Sequence, residues 1–330
     1  MSGGSRPDGR RDPEAVLSYP PVPADATLPY GEHPDQLVDF FAPCGGDGEG
    51  PAPLVVLLHG GAWRAPYDRR HISPLAARLA SVGCAVASVE YRRGPAPERD
   101  AAGAAPASGA SGGASQDPAG RWPETLDDVA LAVDRLPAMI ADLAAAENAS
   151  GATADAPRDG APPAPPRRPW SRVDSTRPVL TGHSAGGHLA LWAAARHRQP
   201  PGSRWRLPAP PPVAGVVALA PIADFATSRG LDVCSGAVVQ FLGGPNRYAS
   251  RSPYADPAAL LPTGIPTTIV HGATDTVVPP QVTRAFAAGA ERAGEPVRCV
   301  LLDGAGHFPV IDPYCPEAGV VVDEIRRFTR

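Results

Sequence analysis

A Gly-x-Ser-x-Gly sequence set between a strand-like run and a helix-forming run constrains this chain more than any other feature. Pro178-Val179-Leu180 leads into Thr181-Gly182-His183-Ser184-Ala185-Gly186-Gly187-His188, and Leu189 to Ala195 (LALWAAA) follows. A serine at such a strand-to-helix turn sits on sharply bent backbone, so its hydroxyl stands clear of the main chain. Gly182 and Gly186 lack a Cβ, which lets strand and helix pass closely on either side. Ser184 then opens a helix, where the Ala185 amide and the helix dipole favour a developing negative charge. This context makes Ser184 a candidate nucleophile.

The rest of the chain supplies a sheet to carry that turn. Leu54 to Leu58 (LVVLL) is a continuous apolar run of the kind buried on both faces of a parallel sheet. Further strands are expected within 30–43 (on Leu37, Val38, Phe40 and Phe41), at 84–91, from Pro178, at 213–221, at 266–270 and at 297–302. Helices are expected at 74–82, from 123 onward, at 281–293 and at 317–328. In the second of these Leu126, Val129 and Val133 fall on one face. Strands alternating with helices predict an α/β fold with a mainly parallel sheet and right-handed crossovers. No internal repeat is visible.

Proline accounts for 43 of 330 residues, about 13% against an average near 5%. The excess gathers with Gly, Ala and Ser in 1–29, 95–123, 151–178 and 200–212. Residues 1–29 are therefore read as a flexible tail and 30–330 as one domain. Disordered surface insertions are expected at about 95–122 and 146–177. Gly-Pro and Ser-Pro breaks and a short helix at 234–242 suggest a small cap within 224–262.

A net charge of −4 with no basic stripe argues against a nucleic-acid surface. The longest apolar runs, 213–223 and 54–58, fall far short of the roughly 20 residues that span a bilayer. The N-terminus has no apolar stretch of the secretory type, and five scattered cysteines suit reduced thiols in a cytoplasmic protein. No His, Cys or Asp cluster has metal-ligand spacing, so neither a metal nor another cofactor is implied.

Three chemically matched residues each follow an expected strand: Ser184, Asp275 in His271-Gly272-Ala273-Thr274-Asp275, and His307 in Gly304-Ala305-Gly306-His307-Phe308. All three should reach one edge of the sheet. There His307 would take the serine proton, and Asp275 would fix the imidazole tautomer. Asp303 is the rival acid, but it sits too near His307 in sequence, and Asp275 is preferred. After Leu58, His59-Gly60-Gly61-Ala62-Trp63 can turn backbone N–H groups inward. Gly61, Ala62 and Ala185 are the expected oxyanion donors. His59 is read as a loop anchor, as is Glu90-Tyr91-Arg92. His183 is placed beside the oxyanion hole and His188 on the helix. His71 and His197 are read as surface residues, and His271 as a strand-end one. Trp63, Phe225 and Phe308 are placed around the substrate pocket; for Asp224 and Phe225 a loop cap is the alternative.

These pieces resemble the α/β-hydrolase superfamily, specifically its esterase and lipase branch with an HGGxW motif, which includes kynurenine formamidases. The matching stretches are 30–36 (YGEHPDQ), 59–63 (HGGAW), 182–188 (GHSAGGH), 271–279 (HGATDTVVP) and 304–308 (GAGHF). The chain order Ser, Asp, His is likewise that of the superfamily. The resemblance implies a cofactor-free serine hydrolase acting on a small carboxylic ester through an acyl-serine intermediate. An arylformamidase acting on N-formylkynurenine is the close alternative. A peptidase of the oligopeptidase branch is a third reading, weakened by the lack of a propeller-like repeat. A non-catalytic binding module on the same fold is the reading of another class, and the presence of every triad and oxyanion-hole residue argues against it.

Overall fold

The computed structural model of the protein describes residues 14–45, 50–95, 121–150, 167 and 169–329. Among them the strands are β1 (Ala26–Pro29), β2 (Leu37–Phe41), β3 (Ala52–Leu58), β4 (Ala85–Val89), β5 (Val173–His183), β6 (Gly215–Leu219), β7 (Thr267–Gly272) and β8 (Arg298–Leu302). The helices are α1 (Ser73–Ser81), α2 (Glu124–Ser150), α3 (Ala185–Ala194), α4 (Phe225–Gly230), α5 (Ala237–Phe241), α6 (Pro245–Ala255), α7 (Gln281–Arg292) and α8 (Pro316–Arg326).

All eight strands join one sheet in the order β1-β2-β4-β3-β5-β6-β7-β8. β2 runs antiparallel to β1 and β4, and β3 through β8 pair in parallel. The buried central strands are apolar on both faces, as a helix-covered parallel sheet requires. Leu54, Val56 and Leu58 of β3 point into the core layer shared with Leu126 and Val129 of α2, Leu189 of α3 and Phe286 of α7. Val55 and Leu57 point the other way, into the layer built by Leu75 and Leu79 of α1 and Ile325 of α8. This is the two-residue alternation of a strand made visible in the packing.

The sheet's parallel half sets where the chemistry can be. β5 lies between β3 and β6, with Gly182 opposite Leu58 on one side and Ala218 on the other. The segments following β3, β5, β7 and β8 therefore leave from one edge of the sheet, the edge at which open α/β sheets bind ligands.

Three boundaries differ from the sequence reading. The tail assignment of 1–29 fails from residue 14: a 3-10 turn at Ala15–Ser18 buries Val16, and β1 pairs with β2. The physical reason is a single buried valine and a four-residue strand whose inward pair, Ala26 and Leu28, is too short a signal to read as alternation. Residues 121–122 are also ordered, with Trp122 edge-on to Trp205 at 5.1 Å. The expected insertion 146–177 carries structure at both ends. α2 continues through Ser150, and β5 begins at Val173. The buried stripe Leu126, Val129, Leu136, Met139, Ile140 and Leu143 runs unbroken past Pro137, which lies on the exposed face. There the carbonyl left without a partner can be hydrated. The parts of these expectations at 1–13, 96–120, 151–166 and 168 lie outside the described residues. Residues 224–262 contain α4, α5 and α6, directly after β6. Among the described residues no helix is long and apolar enough to cross a membrane.

Candidate active site

Ser184 is the residue between β5 and α3, with φ 56° and ψ −116°. A non-glycine residue at positive φ is strained, and such strain persists only where surrounding structure enforces it. The Ser184 N–H donates to Leu219 O at 2.8 Å, and its carbonyl accepts from His188 N and Ile222 N at 3.1 and 3.2 Å. The flanking glycines are sterically required. A Cβ on Gly186 would stand 2.1 Å from the Leu58 carbonyl oxygen, and one on Gly182 would stand 2.4 Å from that of Gly186. The end of β3 thus passes directly beneath the turn.

The loop after β3 is strained as well. Gly61, Ala62 and Trp63 have φ of 107°, 53° and 56° in succession. A Cβ on Gly60 would meet His183 Nδ1 at 3.0 Å and Ser184 Cβ at 3.4 Å. The loop carrying Gly61 and Ala62 and the turn carrying Ser184 and Ala185 are therefore in contact. His59 holds the loop from behind: Nδ1 lies 2.8 Å from Gly60 O, and Nε2 lies 2.9 Å from Glu90 Oε1. Burial alone would raise the Glu90 carboxyl, but His59 first and then Arg93 and the Arg69 N–H outweigh it and hold it at about 2. His71, read from sequence as a surface residue, is half-buried with its ring edge-on to that of His59 at 5.8 Å, and burial pushes it down to about 4.

Asp275 lies three residues beyond β7 and His307 five beyond β8. His307 Nδ1 is 2.6 Å from Asp275 Oδ2. Asp275 Oδ1 accepts the N–H groups of Val277 and Val278, each at 2.8 Å. Burial works against the carboxylate, yet hydrogen bonds from His271 and His307 prevail and hold it well below the usual range. The rival Asp303 is exposed. His183 donates from Nε2 to the His307 carbonyl at 3.0 Å, its ring tilted against that of His307 with centroids 4.3 Å apart. Burial and then His307 push His183 well below the ordinary histidine range, so it is neutral. His183 therefore links Ser184's strand to His307's loop.

The pocket reading needs correction at Trp63 and Phe225. Trp63 and Phe225 are fully buried core residues: Trp63 stacks on Phe241 at 4.5 Å and meets His188 edge-on at 5.0 Å, while His188 stacks on Phe225 at 4.9 Å. Phe308 packs with the opposite core layer, edge-on to His307 at 5.0 Å. Large aromatic rings near a sheet edge fill core space before they line a cleft. Trp63 Nε1 and His188 Nδ1 are buried without a hydrogen-bond partner.

Sequence reading passed over one residue at this centre. His271 is the penultimate residue of β7, is fully buried, and lies with Nε2 3.2 Å from Asp275 Oδ2. The signal was present in the four-residue spacing from His271 to Asp275. Among the described residues no group of three or more His, Cys, Asp or Glu side chains is arranged to hold a metal ion.

Comparison with known proteins matches residues 170–314 to the Prolyl oligopeptidase family, a span that runs from the start of β5 past His307. The chain is 25% identical over 271 residues to "Probable carboxylic ester hydrolase LipM" of Mycobacterium tuberculosis, covering 79% of this chain and 50% of the relative. It thus spans about half the length of the curated relative it matches. Esterase B from Lactobacillus rhamnosis superposes with a TM-score of 0.62 at 18% identity, over 96% of this chain and 91% of that one. A truncated carbohydrate esterase from gut microbiota gives 0.61 at 17% identity, over 94% and 99%. Together with the eight-stranded, mostly parallel sheet and the strained serine turn on one of its central strands, these likenesses show that the chain has the α/β-hydrolase fold.

Proposed function

We propose that this protein is a serine hydrolase that cleaves small carboxylic esters through an acyl-serine intermediate. The observation that carries the reading is the Asp275–His307 pair, joined at 2.6 Å at the sheet edge from which the strained Ser184 turn also leaves. The named esterase and ester hydrolase relatives support the same chemistry.

Ser184 Oγ attacks the ester carbonyl carbon while His307 Nε2 takes its proton. Asp275 keeps Nδ1 protonated and stabilises the imidazolium that forms. The carbonyl π pair moves onto oxygen, where the N–H groups of Ala185, Gly61 and Ala62 receive it; one such donor is worth about 3 kcal/mol. Collapse breaks the ester C–O bond, and the alcohol leaves with the proton from His307. Water then repeats the sequence on the acyl-serine and returns the enzyme with a carboxylic acid. The five free cysteines suit a reducing, cytoplasmic setting.

Wild type and Ser184→Ala, assayed with p-nitrophenyl acetate, p-nitrophenyl butyrate and N-formyl-L-kynurenine, test the proposal. Ester cleavage lost in the variant is the expected result. Preference for the formamide would make the protein an arylformamidase with the same machinery. Turnover of none, together with no labelling of Ser184 by a phosphonate ester, would overturn the reading.

A further inference from the structure

The carboxylate of Asp275 faces two imidazoles. His307 Nδ1 stands 2.6 Å from Oδ2, and His271 Nε2 stands 3.2 Å from that same oxygen. With Val277 and Val278 donating to Oδ1, each oxygen is held by two donors. His271 is itself pinned. Its Nδ1 lies 2.7 Å from Thr283 Oγ1 on α7, and its Nε2 lies 2.8 Å from Val278 O. Nε2 faces only acceptors, a carbonyl and a carboxylate, so it carries a proton, shared between the two.

We propose that His271 is a positioning residue for the reaction, whose Nε2–H fixes the Asp275 carboxylate and sets how firmly that carboxylate holds the proton on His307 Nδ1. The inference rests on the reading of Ser184, Asp275 and His307 as one catalytic unit. The physics is that of a shared acceptor. A carboxylate that accepts from four donors has its charge dispersed and is a weaker partner for an imidazolium than one that accepts from three. Loss of the His271 donor concentrates charge on Asp275 and favours protonated His307. The base form needed to activate Ser184 is then reached only at higher pH. The other titratable groups turned toward the pair are His183 of β5 and Cys234 of the loop before α5, with Arg64 beside that cysteine. His183 is neutral and burial raises the Cys234 thiol, so neither brings a charge to the pair near pH 7.

A merely structural histidine would also be buried and bonded to α7, so the test separates the two. Two readouts are taken across pH. One is kcat/KM for p-nitrophenyl acetate, and the other is the low-field NMR signal of the His307 Nδ1 proton, which requires no turnover. In His271→Leu the acid midpoint of both should rise by about half a pH unit, the scale of one long, shared hydrogen bond to a carboxylate. His271→Asn keeps a polar group for Thr283 but does not reach Asp275, and should shift in the same direction if the leucine variant fails to fold. His271→Gln, whose amide can donate from the Nε2 position, should restore the wild-type midpoint. Thr283→Val strips the opposite bond and should lower stability while leaving the midpoint in place. Unmoved midpoints in folded His271→Leu and His271→Asn, or an equal shift in Thr283→Val, would overturn the inference. A shifted NMR midpoint in a protein that cleaves no ester would support the coupling and sink the esterase reading alone.

Discussion

The imidazole of His59 lies flat on the phenol ring of Tyr91, with centroids 4.2 Å apart and planes 4° from parallel. The Tyr91 hydroxyl donates to the His59 carbonyl at 2.6 Å, and Tyr91 N donates to Glu90 Oε1 at 3.2 Å. The strained loop at 61–63 is thus braced from below by β4's end through a buried carboxylate.

Glu90 makes that brace pH-dependent. Its carboxyl falls from an ordinary 4.5 to about 2 in the fold. A depressed acid contributes stability that is present above its unfolded value and lost as pH falls through its folded value. Between pH 4.5 and 2 the fold should therefore lose on the order of 3 kcal/mol from this group. Urea unfolding of wild type and Glu90→Gln at pH 7 and pH 2 checks this. The variant should be weaker at pH 7 and show a shallower loss on acidification.

Asp256 should act with the opposite sign. Its Oδ1 accepts from Phe225 N at 3.3 Å and Ala258 N at 3.1 Å, tying the start of α4 to the turn after α6. Burial, and to a lesser extent Asp224, push it from 3.8 up to about 7. The stability it gives is full below pH 3.8 and lost as pH rises through 7. Asp256→Asn keeps an acceptor without a charge. Its melting temperature at pH 8 should exceed that of wild type by several degrees, with the gap narrowing toward pH 4.

Ser184→Ala should lower kcat by about 10⁵- to 10⁶-fold, and Asp275→Asn by about 10⁴-fold through the wrong imidazole tautomer. Circular dichroism melts should stay near wild type for the first. Residual turnover within tenfold of wild type in either would remove that residue from the mechanism.

Two glycine-to-alanine changes should move stability in opposite directions. At Gly186 the new Cβ meets the Leu58 and His59 carbonyl oxygens at 2.1 and 2.4 Å, so β3 and α3 must separate. A loss of about 3 kcal/mol or more is expected from such overpacking. Gly319, inside α8, has open space within 4 Å of where a methyl group would stand, and alanine there should add about 0.5–1 kcal/mol. Denaturant midpoints report both.

Much of this arrangement was legible in residue order. Leu54 to Leu58, Val213 to Pro221 and the glycine-flanked Ser184 carry strong local signals, because buried parallel strands are apolar on both faces and the turn tolerates few residue types. The pairing of Asp275 with His307 followed from their places after two strands. What stayed hidden was set by distant packing. β1 is only four residues long, too short for the alternation of Ala26 and Leu28 with Thr27 and Pro29 to stand out, and its place comes from pairing with β2. The first part of β5, Val173 to Arg177, is mostly polar and none of it is buried, so only the buried half announced itself. Trp63 and Phe225 are large and apolar, and nothing in their neighbours told core from cleft. His271 read as a strand end because its partner on α7, Thr283, is 12 residues away.

β8 occupies the outer end of the sheet, paired with β7 alone, and three of its five residues are exposed. The loop that bears His307 hangs from this strand. The proton transfer proposed for His307 therefore depends on an edge strand held by one neighbour, whereas Ser184 is anchored at the sheet's middle. Rate and foldedness are consequently separable in this molecule. Mild heat or dilute denaturant should fray the edge and silence the proposed hydrolysis while the spectrum still reports a native protein, with turnover returning once the strand re-forms.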